Sequence, residues 1–143
     1  MKRQDKYPDT STFCYHNANP KNRITTDCVI RAISTALRIP YEQVVMELAE
    51  QQCKTGYDDG DSKAIDLYLK SKGWIKQPQP RKKDGKKFTG KEWCKHISYY
   101  SDKYPNQIIA NLGGHHTVAI MWGRIWDTWD STDGCIGNYW IKG

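Results

Sequence analysis

Apolar positions recur along the first half of the chain at helical spacing. Val29, Ala32, Ile33, Ala36 and Leu37 follow Thr25-Thr26-Asp27, which reads as a set of capping residues, so an amphipathic helix is predicted to open near Cys28. Val44, Val45, Leu48 and Ala49 form a second stripe after Pro40, a residue tolerated in a first helical turn, and this helix is expected to pack on the first. Asp61 or Ser62 caps a third helix running to Lys70, with Ile65, Leu69 and Tyr68 inward and Gly73 ending it. After an extended piece at Trp74-Ile75, Thr89 or Gly90 starts a helix to about Tyr99 that places Trp93, Ile97 and Tyr100 on one side.

The second half changes period. Gln107–Leu112 reads as a strand, and Gly113–Asp130 reads as two β-rich runs joined at Trp122-Gly123. A two-residue turn there sets Met121 opposite Arg124 and Val118 opposite Asp127. It also puts His116, Val118, Ile125, Asp127 and Trp129 on one face. A last strand is expected at Asn138–Lys142. Helices first and strands last is an α+β pattern: an N-terminal helix and further helices packed on a C-terminal antiparallel sheet, in a single domain over residues 1–143.

This pattern brings chemistry with it. Cys28 falls in the first turn of its helix, where free backbone N–H groups and the positive end of the helix dipole favour a thiolate. His116 is the candidate base and Asp127 the acid that would orient it, diagonal to it across the hairpin. The register leaves a rival pair open. His115 would oppose Asp130 on the other face, and a longer turn would set Asp130 opposite His116, although Asp130 beside Ser131, Thr132, Asp133 and Gly134 can equally be initiating a turn.

The order Cys28, helical stretch, His116 opening a strand and Asp127 on the next strand resembles the papain-like cysteine peptidase superfamily in its small bacterial and phage-encoded forms. Cys28-Val29-Ile30-Arg31-Ala32-Ile33 is similar to the nucleophile helix of ovarian-tumour-type deubiquitinases, and Asp27-Cys28 to bacteriocin-processing peptidases. The resemblance implies a papain-like fold and a cysteine hydrolase that cleaves peptide or isopeptide bonds through an acyl-enzyme. It also implies a peptide or protein substrate and no cofactor. About six residues before the Cys, where such peptidases place an oxyanion-holding Gln, stands Asn22, which could donate the same kind of hydrogen bond beside the Cys28 backbone N–H. Acyl transfer to an amine would use the same three residue types.

Composition adds two points. The five cysteines are odd in number and scattered, which argues for reduced thiols, and Cys14/His16 and Cys94/His96 have the wrong spacing for zinc, so no metal is expected. Eight basic and two acidic residues lie between Lys76 and Lys95, a local excess as large as the formal net charge of +6. Arg81, Lys82, Lys83, Lys86 and Lys87 would form an exposed basic loop, either simply solvated or contacting nucleic-acid phosphates or an acidic protein surface. A noncatalytic binding module built on that loop is the alternative function. With no leader-like opening and no stretch long enough to span a bilayer, the expectation is a cytoplasmic protein, of phage origin if the resemblance holds, with no membrane contact.

Overall fold

The computed structural model describes residues 1–143. Five helices pack on one mixed six-stranded sheet. The helix of the first apolar stripe, α2 (Cys28–Leu37), follows a single turn α1 (Arg3–Lys6) and a three-residue strand β1 (Phe13–Tyr15). Then come α3 (Tyr41–Thr55), α4 (Ser62–Ser71), β2 (Trp74–Gln77), α5 (Gly90–Tyr99), β3 (Gln107–Leu112), β4 (His116–Met121), β5 (Arg124–Asp127) and β6 (Ile136–Lys142).

Local chemistry explains the helix boundaries. Pro40 precedes the first residue of α3, and Gly56 ends that helix at φ 81°, its N–H donating to the Gln52 carbonyl at 2.8 Å. Asp61 caps α4 by accepting from the Lys63 N–H at 2.8 Å. Thr89 and Glu92 form a reciprocal capping box on α5, with each side chain accepting from the other residue's backbone N–H.

The strands run β1-β5-β4-β3-β6-β2 across the sheet. The hairpin register is the expected one: Met121 pairs with Arg124, Ile120 with Ile125 and Ala119 with Trp126. Two parts of the expectation need correction. The sheet is not purely antiparallel, because β1 pairs parallel with β5, Tyr15 lying opposite Asp127. Nor are all its strands C-terminal, because β2 forms one edge by pairing with β6.

Side-chain alternation makes both faces of the sheet apolar, and each has its own helical cover. Ile109, Ala119, Met121 and Trp140 pack under α2, α3 and α4 with Ile33, Val44 and Leu69. Ile108, Val118, Ile120 and Ile125 pack under α5 with Trp93 and Ile97. No helix is long and apolar enough to cross a membrane.

The basic stretch is not one continuous loop. Lys76 belongs to β2, Lys91 and Lys95 belong to α5, and Arg81 to Lys87 turn back on themselves through a bridge between those two residues. Lys82 pairs with Glu92.

Candidate functional site

Cys28 is the first residue of α2, and the hydrogen bonding around it is unusual for a helix start. Asp27, expected to cap, makes no side-chain cap bond. Its Oδ1 accepts from Arg31 Nε at 2.8 Å, and its Oδ2 accepts from the Tyr41 hydroxyl at 2.6 Å and from Asn19 Nδ2 at 3.3 Å. The first backbone bond of the helix is Arg31 N–H to the Asp27 carbonyl. The N–H groups of Cys28, Val29 and Ile30 therefore have no backbone acceptor, and they face the start of the helix, where an anion is favoured.

The second component comes from the end of the sheet. His116 opens β4 and Asp127 closes β5, both beyond the last matched pair of that ladder, Ala119 with Trp126. By alternation they share a face with Val118 and Ile125, which pack under α5. At the sheet end, however, their side chains reach the tip of α2 on the other side. Asp127 Oδ2 lies 2.5 Å from His116 Nε2. Its Oδ1 accepts from Arg31 Nη1 at 2.6 Å and from the Thr128 N–H at 2.7 Å. With Nε2 committed to Asp127, His116 has Nδ1 to offer Cys28. Trp129 packs on the His116 ring, centroid to centroid 5.1 Å.

These neighbours set the charge states. Burial pushes the Cys28 thiol up, but hydrogen bonds from His116 and the Thr117 backbone, together with the charges of His116 and Arg31, bring it below the ordinary thiol value. Burial opposes the charged form of His116 as well, yet Asp127 and Cys28 push its pKa up to about 9. Asp127 is held below the usual carboxylate range: His116 and Arg31 outweigh its burial. Elsewhere the effect runs the other way, since burial raises Cys14 and pushes Cys94 up to about 12.

Cys28, His116 and Trp129 line a cleft of about 410 Å³, with Thr25, Asp59, Ile65 and Asn111 on its other walls. The expected set Cys28, His116 and Asp127 is thus brought together. His115 lies exposed on the rim of the same cleft, in the turn after Gly113-Gly114, and makes no bond to an acid. Asp130 accepts from the Thr132 N–H and hydroxyl at 3.0 and 2.6 Å, so it shapes the loop after β5 rather than orienting a histidine. Asn22 does not reach the cleft. It sits exposed at φ 54°, its side-chain oxygen accepting from Asn17, because the chain turns there before approaching α2. None of Arg81, Lys82, Lys83, Lys86 or Lys87 lines the cleft.

Sequence reasoning passed over Arg31 and Tyr41. The available signal was an arginine four positions after Asp27, the spacing of an intrahelical ion pair.

No family model, curated protein or solved structure matches the chain.

Proposed function

We propose that the protein is a cysteine hydrolase of papain-like type that cleaves peptide or isopeptide bonds. The observation that carries this reading is the tip of α2: a thiol with a depressed pKa lies beside an imidazole that a buried carboxylate holds from behind, and the thiol and imidazole both line an open cleft.

The resting pair is a Cys28 thiolate and a protonated His116. The sulfur attacks the substrate carbonyl carbon, the carbonyl π electrons move to oxygen, and the oxyanion meets the free N–H of Cys28 at the helix start. As the C–N bond breaks, His116 gives its proton to the leaving amine, and a thioester remains on Cys28. Water then attacks the thioester while His116 takes its proton, and the acid leaves as the thiolate is restored. Asp127 accepts from Nε2 throughout and so fixes which nitrogen faces the sulfur. An amine in place of water would turn the second half into acyl transfer.

The test is site-resolved alkylation by iodoacetamide near neutral pH, with mass-spectrometric readout of all five cysteines. Cys28 should react faster than exposed Cys53 and Cys135 despite being half-buried. Profiling of a peptide and isopeptide library should show turnover by the unsubstituted chain and none by Cys28→Ser. Equal alkylation of Cys28, Cys53 and Cys135 would count against the enzyme.

A further inference from the structure

We infer that Arg31 is a positioning residue for this chemistry: one buried guanidinium seats Asp127 behind His116 and, through its other arm, keeps the Asp27 carboxylate off the start of α2. The inference rests on reading Cys28 as the nucleophile.

Arg31 is 8 % exposed, and its two arms go to different carboxylates, Nη1 to Asp127 at 2.6 Å and Nε to Asp27 at 2.8 Å. Each of those carboxylates has its second oxygen engaged elsewhere, Asp127 with His116 and Asp27 with Tyr41 and Asn19. Asp127 therefore cannot rotate away from the imidazole without breaking a charged bond. Asp27 stands at the position where an Asp ordinarily accepts from the second or third N–H of a helix, and here it does not. A capping carboxylate would occupy the N–H groups that the thiolate and the oxyanion need, and would place a negative charge beside both. Drawing Asp27 sideways onto Arg31 removes that competitor.

A purely structural role would not require this residue. Buried ion pairs are commonly replaced by apolar side chains at no loss of stability, and a lysine ammonium cannot span two carboxylates as a planar fork does. The charge count points the same way. A thiolate, Asp27 and Asp127 face two cations, His116 and Arg31; without Arg31, three anions share one imidazolium.

The test follows the pH dependence of Cys28 alkylation by iodoacetamide in the full chain, from about pH 5 to about pH 9, where a thiolate limb would fall. In Arg31→Lys and Arg31→Gln the acid limb should move up by about one pH unit, which is about tenfold slower alkylation on that limb. Cys53 and Cys135 serve as internal controls and should not change. Adding Asp27→Asn to Arg31→Gln should recover part of the loss, because it removes the carboxylate that Arg31 no longer restrains; packing damage would not be repaired that way. Profiles of both Arg31 variants that superpose on that of the unsubstituted chain, with Cys28 still the fastest thiol, would overturn the positioning role and leave the hydrolase reading standing. A Cys28 no faster than Cys53 in the unsubstituted chain would overturn both.

Should Arg31→Gln fail to fold, the unsubstituted chain supplies the second measurement. Its Arg31 Nε–H resonance should shift along the acid limb of Cys28, and an Nε–H signal indifferent to that titration would overturn the inference.

Discussion

A carboxylate that is only 2 % exposed must have its charge answered at both oxygens, and Asp127 has an imidazole on one and a guanidinium on the other. This makes Asp127→Asn an informative substitution. An amide cannot stabilise an imidazolium, and its NH₂ group would compete with the His116 N–H it should accept from. The His116 ring should titrate near about 9 in the unsubstituted chain and move down toward the ordinary histidine value near 6.5 in Asp127→Asn, followed by ring proton–carbon NMR. Cys28 alkylation below neutral pH should slow at the same time. That Cys28, His116 and Asp127 come together was legible in the sequence because each sits at the boundary of an element with a strong period: a helix start, a strand start and a strand end. Arg31 was not, because its partner Asp127 lies 96 residues away and no local pattern encodes that contact. Asn22 failed for a related reason. Counting back from Cys28 locates a position along the chain but not the turn, at positive φ, that carries it away from the cleft.

Among the elements, the β4–β5 hairpin sets the site geometry, since its register decides which acid lies near His116. A two-residue turn with positive φ at both positions favours Asn-Gly, and this chain uses Trp122-Gly123 at φ 55° and 75°. Gly123 suits its position twice over: a Cβ there would fall 2.1 Å from Ser98 Oγ. Trp122 does not suit its own, being bulky, left-handed and 60 % exposed. Trp122→Asn should therefore raise stability by about 1 kcal/mol, a melting shift of a few degrees, while leaving Cys28 reactivity unchanged at the far end of the hairpin. Thermal unfolding read with iodoacetamide kinetics checks both halves, and a drop in melting temperature would mean the indole makes contacts worth more than its backbone strain. The Trp-Gly signal was readable because turn chemistry is local. The parallel strand β1 was not, since three residues have no period to detect and their partner is β5, more than a hundred residues on. The second helical layer escaped for another reason: apolar alternation says that a face is covered, not which helix covers it.

At the scale of the whole molecule, the site lies where three separately coded pieces meet: the tip of α2, the end of the sheet, and the loop after β5, which Arg3 from α1 ties down by donating to the Thr128 carbonyl at 2.6 Å. Joining these pieces binds folding to the charge states of the site, which gives stability a defined pH profile. The folded-state pKa of His116 is raised, so its contribution is complete below the unfolded value near 6.5 and is lost as pH rises toward about 9. For Asp127 the folded pKa is depressed, so its contribution is complete above the unfolded carboxylate value and is lost as pH falls through the folded one. For Cys28 the folded pKa is depressed, so its contribution grows as pH rises toward the ordinary thiol value and offsets the loss from His116; melting temperature should thus climb out of the carboxylate range and stay level through neutral pH. Cys28→Ser removes that offset. The alkaline decline should then begin near pH 6.5, while the acid limb below it, governed by Asp127 and Asp27 with Arg31, should stay in place. Melting curves of both chains across the range measure this directly. An alkaline limb that Cys28→Ser does not move would mean that sulfur and imidazole titrate independently in the folded protein.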